Sequence, residues 1–214
     1  MNPFRAILNI VFPKNCLACK RHGYMICPKC LQEISPPWEQ LQPWIVSVFK
    51  YKNSNIRQAV WKLKYQGSHA IADDLAPYMY DELISMLEER LSIYEGRLIL
   101  IPIPMTRKKL RDRGFNQSEI LAQAIRNQNK ELFTVNSSSL IKIKETTPQA
   151  KIKIRSKRLA NMRGIFDIKN PSHVANQTII LIDDITTTGA TLSEARKVLK
   201  KAGAKQVFAV TVGH

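Results

Sequence analysis

The stretch Ile179–Thr191 constrains this chain more than any other. Four aliphatic residues, Ile179-Ile180-Leu181-Ile182, run unbroken into Asp183-Asp184, and a helical pattern opens at Leu192 after Ile185-Thr186-Thr187-Thr188-Gly189-Ala190-Thr191. An apolar run with no polar alternation is the pattern of a strand buried on both faces, as in parallel sheets. Two adjacent carboxylates at its end can accept hydrogen bonds from vicinal ribose hydroxyls, directly or through Mg²⁺ and its waters. Thr187, Thr188, Gly189, Ala190 and Thr191 then offer backbone N–H groups and hydroxyls at a helix start, a ready anion site. Gly189 lets the backbone curl around a phosphate without a Cβ in the way. An isolated Asp-Asp or Thr-Thr reads as an acidic turn or a polar cap. The whole order in a strand–loop–helix context reads as a grip for a sugar phosphate.

The rest of the chain surrounds that strand with a βα rhythm. Trp44–Tyr51 reads as a short strand, and Asn55–Tyr65 as a helix with Ile56, Ala59, Val60 and Leu63 inward, stopping near Gly67. Leu75, Met79, Leu83, Leu87 and Leu91 give a second amphipathic helix that ends by Gly96, and Pro77 requires that helix to start within about a turn of it. Leu98–Ile103 is a buried strand followed by a basic loop over 104–115, and Asn116 with Glu119 forms a capping-box pattern for a helix to about Asn129. Ser139–Ile143 and Gly164–Ile168 read as strands around a long basic stretch, and Leu192–Lys201, Gly203 and Gln206–Val212 as helix, cap and last strand. The expected architecture is α/β, a mostly parallel sheet flanked by helices.

All four cysteines fall near the start, as Cys16-x2-Cys19 and Cys27-x2-Cys30. Two such knuckles place four thiolates around one ion, and Zn²⁺ is the usual occupant. Lys14, Lys20, Arg21 and Lys29 favour thiolate formation. Disulfide or redox pairing is weakened by the expected compartment and by the absence of any other cysteine, and an iron–sulfur or redox site stays open as the alternative. Four thiolates close the coordination shell, so the ion is structural and His22 is a loop residue. Pro36-Pro37 reads as a linker, which divides the chain into a 1–37 zinc-knuckle module and a 38–214 domain.

No apolar run approaches the roughly 18–20 residues of a membrane span. Phe4–Phe12 is too short, with no cleavage site, so the expectation is a cytoplasmic protein without stable membrane insertion. The net charge of +16 is concentrated late, with 21 basic against 8 acidic residues over 101–214, and it asks for an anionic partner. Around these basic stretches Phe115 and Phe166 are the obvious aromatic residues, few for a surface that stacks nucleobases.

Asp183, Asp184, Thr187, Thr188, Gly189 and Thr191 fit D-D-x-x-T-T-G-x-T, which resembles the motif of the type I phosphoribosyltransferases for 5-phospho-α-D-ribosyl 1-pyrophosphate (PRPP). The paired cysteines narrow the resemblance, together with Lys64-Tyr65-x-Gly67 and Ile101-Pro102-Ile103-Pro104 before Arg111-x-Arg113-Gly114-Phe115-Asn116-Gln117. With Thr147-Pro148-Gln149 and Arg158-x-x-Asn161-x-x-Gly164-x-Phe166 the pattern is similar to the ComF/GntX group over nearly the whole chain. Thr186 departs from it, where an aliphatic residue is common. The resemblance implies a type I phosphoribosyltransferase-like fold with an N-terminal zinc knuckle, PRPP or a related sugar phosphate as ligand, Mg²⁺ with it, and a role in competence and DNA uptake. It implies Asp183 and Asp184 as catalytic residues that fix the ribose, and the Thr187–Thr191 loop as PRPP-binding. It implies Arg107, Arg111 and Arg113 as holders of pyrophosphate, and 144–163, with Gln149, Arg158 and Asn161, as a flexible loop closing over the site. Arg158 and Asn161 serve equally well as caps of the following strand. Single-stranded DNA and competence proteins, a helicase-like one among them, are the implied partners. A nonenzymatic DNA-handling or nucleotide-sensing factor is the rival reading, and no residue specifies an acceptor.

Overall fold

The computed structural model describes residues 14–36, 41–90, 96–144 and 164–214. Phe4–Phe12, Pro37, Leu91 and the segment carrying Gln149, Arg158 and Asn161 lie outside the described residues. Along the chain come α1 (Pro28–Gln32), β1 (Ile45–Phe49), α2 (Ser54–Gln66), α3 (His69–Arg90), β2 (Leu98–Pro102), α4 (Arg107–Arg113) and α5 (Gln117–Gln128). Then follow β3 (Phe133–Val135), β4 (Leu140–Lys142), β5 (Phe166–Ile168), β6 (Thr178–Ile185), α6 (Ala190–Lys201) and β7 (Gln206–Gly213).

Five strands form one parallel sheet in the order β1-β7-β6-β2-β3, while β4 and β5 pair antiparallel apart from it. The aliphatic run of β6 serves both faces. Ile180 and Ile182 join a core with α2, α3 and α5, whereas Ile179 and Leu181 join one with α6 and β5. This two-sided burial is why no polar residue interrupts the run. The strand continues three residues beyond Ile182, because β7 offers partners as far as Gly213, with Asp183 opposite Thr211 and Ile185 opposite Gly213.

Two expectations are corrected. Pro77 lies inside α3, which starts eight residues before it at His69. An interior proline costs roughly 3 kcal/mol. Here it sits on the exposed side, and burial of Ile71, Ala72, Leu75, Ala76, Met79, Leu83, Met86 and Leu87 along the opposite side offsets that cost. The basic loop after β2 contains a two-turn helix, α4, capped by Thr106, whose hydroxyl accepts from Lys109 N–H, and by Gly114 in the left-handed region.

The topology positions the site. β6 continues through α6 to β7 on one side, and β2 continues through α4 and α5 to β3 on the other. β2 and β6 are neighbours, Pro102 facing Ile182, so their connections diverge at the carboxyl ends and open a crevice there. Among the described residues no helix is long and apolar enough to cross a membrane.

Candidate functional site

Both carboxylates stand in that crevice, and both are buried. Asp183 Oδ1 accepts from Ser118 Oγ–H at 3.0 Å and from Asp184 N–H at 2.9 Å. Asp184 Oδ1 accepts from Ile185 N–H at 2.8 Å, and its Oδ2, sealed from solvent, lies 3.0 Å from the Lys64 ammonium. Burial first, and the neighbouring Asp184 charge second, push the Asp183 carboxyl up to about 7 against the pull of Lys64 and its hydrogen bonds. Burial works against the Lys64 charge, yet Asp184 and then Asp183 outweigh it and hold the ammonium above its ordinary value. Lys64 is thus an internal counter-ion, delivered by the last turn of α2.

The loop over Thr187–Thr191 follows directly. Gly189 adopts φ 71°, ψ 3°, a left-handed conformation that glycine takes at least cost, and caps α6. Thr188 Oγ1 accepts from Ala190 N–H at 3.4 Å, and Thr186 N–H donates to Gly213 O at 3.0 Å. Thr187 is exposed, while Thr188 and Thr191 are half-buried. The twelve-residue α6 therefore directs its N-terminus to the same sheet edge as the two carboxylates.

Of the three arginines, Arg107 and Arg111 are exposed on α4. Arg113 turns inward, donating to Gln117 Oε1 at 2.9 Å with its guanidinium 5.3 Å from the Tyr65 ring centroid. The start of α5 is tied to the β2 end, since Asn116 Nδ2–H donates to Ile103 O and Asn116 Oδ1 accepts from Ser118 N–H. That tie carries Ser118 to Asp183.

Cys16, Cys19, Cys27 and Cys30 gather with their sulfurs within 4.8 Å of one another, all as free thiols. Sulfurs bound at about 2.3 Å around a tetrahedral ion stand about 3.8 Å apart, and the Cys19–Cys27 sulfur distance is 3.6 Å. Burial opposes the Cys16 thiolate, but backbone hydrogen bonds at Cys19, Cys27 and Ala18 bring it down to about 6. Burial and then the other three sulfurs push Cys30 up to about 12. Sulfurs so close cannot all ionise without a cation between them, so this donor set fits one dication. His22 is exposed, outside the cluster. The knuckle shares the domain's core, with Cys16, Ile26, Cys27, Cys30, Leu31 and Ile34 in one apolar cluster with α2 and α3. Asp74 on α3 accepts from Met25 N–H at 2.6 Å and Ile26 N–H at 3.0 Å.

In the sequence Lys64 appears only as part of a longer pattern and Ser118 goes unmarked, and their contacts with the carboxylates become visible in the fold. Their signal is indirect: Lys64 ends an amphipathic helix, and Ser118 follows a capping asparagine.

A sequence model of the phosphoribosyl transferase domain matches residues 112–213. Competence protein ComFC of Bacillus subtilis is 30% identical over 180 residues, covering 72% of this chain and 69% of that protein. DNA utilization protein YhgH of Salmonella typhi is 28% identical over 186 residues, 87% of this chain and 76% of that one. Among solved structures, the allosteric regulatory enzyme of purine biosynthesis aligns at 14% identity and a TM-score of 0.40, covering 72% of this chain and 30% of the enzyme.

Proposed function

The chain belongs to the ComF family of phosphoribosyltransferase-like proteins, and from that membership and its carboxylate loop we propose that it binds PRPP in the service of DNA uptake or utilization. The observation that carries this reading is the junction of Asp183 and Asp184 with the Gly189-capped start of α6 at the crevice between β2 and β6. The 5-phosphate is assigned to the Thr187–Thr191 backbone and hydroxyls. The ribose hydroxyls are assigned to the two carboxylates, which favour an oxocarbenium-like ring as the C1–pyrophosphate bond breaks and C1 bonds to an acceptor nucleophile. Arg107, Arg111 and Arg113, on the helix leading away from β2, are assigned to the departing pyrophosphate.

Asp183 and Asp184 supply the hard oxygen donors that Mg²⁺ takes, and the ion would add charge neutralisation at the pyrophosphate. Lys64 already balances Asp184, which supports magnesium arriving with PRPP. The four cysteines are assigned to a structural Zn²⁺, and the protein to the cytoplasm.

The test is a titration of PRPP with Mg²⁺ against the wild type and Asp183→Asn/Asp184→Asn. Saturable binding that the double variant loses is the expected result. Equal binding by both proteins, or none by the wild type, would overturn the assignment. If binding holds, pyrophosphate release across a panel of bases and amines separates a transferase from a sensor.

A further inference from the structure

Of the four oxygens in the carboxylate pair, donors among the described residues engage three. Ser118 Oγ–H and Asp184 N–H converge on Asp183 Oδ1, Ile185 N–H holds Asp184 Oδ1, and the Lys64 ammonium stands 3.0 Å from Asp184 Oδ2. That last oxygen is sealed from solvent, and the side chain over it is the more exposed of the two, Lys64 at 23% against Asp184 at 4%. A dication reaching for both carboxylates therefore meets a fixed positive charge. The helix end that carries this charge is anchored from behind. Gly67, directly after α2, packs so closely on Phe115 that a Cβ there would stand 2.9 Å from the ring. With Lys64 balancing Asp184, the pair presents the charge of a single carboxylate. Mg²⁺ dehydrates reluctantly and is held by one or two carboxylates together with substrate phosphates, so this pair needs the phosphates to complete its grip.

We propose that Lys64 is a positioning residue that closes the carboxylate pair to free divalent cations, so that the metal is admitted only together with the pyrophosphate of PRPP. This role rests on the PRPP reading for the identity of the ligand, and adds an order of binding and the residue that enforces it. Loss of packing alone would weaken ligand binding, whereas loss of an excluding charge leaves a metal site behind.

The experiment is Mn²⁺ binding to the full zinc-loaded chain, read from the electron paramagnetic resonance of the free ion, with and without PRPP. The wild type is expected to take up no more Mn²⁺ than Asp183→Asn/Asp184→Asn until PRPP is added. Lys64→Gln keeps an N–H donor for Asp184 Oδ2 and removes the charge. It is expected to bind Mn²⁺ without PRPP at least about tenfold more tightly than the wild type, the effect in water of losing a unit charge about 6 Å from a dication. Lys64→Met repeats the test without the donor, its melting temperature rising with Mn²⁺ where that of the wild type does not. Asp183→Asn added to Lys64→Gln abolishes the gain, and Lys64→Arg shows none. Three results overturn the proposal: aspartate-dependent Mn²⁺ binding by the wild type before PRPP is added; no gain in Lys64→Gln; or an equal gain in Lys64→Arg. PRPP binding without the Mn²⁺ gain sinks this role alone. The Mn²⁺ gain without PRPP binding sinks the PRPP reading and leaves exclusion of the ion by Lys64 standing.

Discussion

Replacing Asp183 with Asn tests the electrostatics of the crevice directly. Asn keeps an oxygen for Ser118 Oγ–H and Asp184 N–H but removes the charge that the fold disfavours. Because the folded carboxyl holds its proton up to about 7 against an ordinary 3.8, its contribution to stability is full below the unfolded value. That contribution is lost as the pH rises through about 7. At 1.36 kcal/mol per tenfold, the gap amounts to as much as about 4 kcal/mol. With roughly 2–4 °C per kcal/mol for a chain of this size, the melting temperature should differ by on the order of ten degrees. The assay is a series of thermal melts of both proteins from acid to alkaline pH in magnesium-free buffer without chelator, which would attack the cysteine site. The wild type should fall progressively below Asp183→Asn between about pH 4 and about pH 7, with the gap constant above that window. Parallel curves at every pH, or a variant lead largest in acid, would refute the reasoning. Adding Mg²⁺ and PRPP at about a hundred times the dissociation constant should return about 2.7 kcal/mol to the wild type and leave the variant behind.

Three further expectations concern the parts that hold the crevice. Lys64→Met strands the buried Asp184 carboxylate and should cost about 3–5 kcal/mol at neutral pH in urea unfolding, with Lys64→Arg far milder. Asp74→Ala leaves Met25 and Ile26 N–H groups without their acceptor and should cost about 1–3 kcal/mol for each, read in melts. The same variant should release zinc faster to a chromogenic chelator. Gly67→Ala places a Cβ against the Phe115 ring at φ 58° and should destabilise by at least about 1 kcal/mol, whereas Gly96→Ala, with open space around it, meets only the backbone strain.

Those features that follow from local rules are legible in the sequence. The β6 run reads plainly because burial on both faces forbids polar interruptions, and the cysteine knuckles read plainly because tetrahedral coordination requires close pairs. α4 stays hidden for the converse reason. It buries no side chain, so it has no apolar period to betray it. β3 leaves no trace because three residues, Phe133–Val135, are too few to set an alternation. Pro77 misleads because the rule against interior proline weighs the local hydrogen bond and not the buried face opposite.

The strand order carries a consequence for biosynthesis. β1 lies at the sheet's edge beside β7, so Trp44 O must await Ala209 N–H, while Ile45 N–H is met locally by Gln42 O. The cysteines leave the ribosome early and can capture their ion while the sheet is still unmade. β6 likewise lacks β7 on one side until the last strand is synthesised. The carboxylate crevice, framed by β2 and β6, therefore gains the strand beside Asp183 only at the close of translation, and a chain stalled before residue 206 holds its four cysteines but lacks Thr211 and Gly213 alongside the carboxylates.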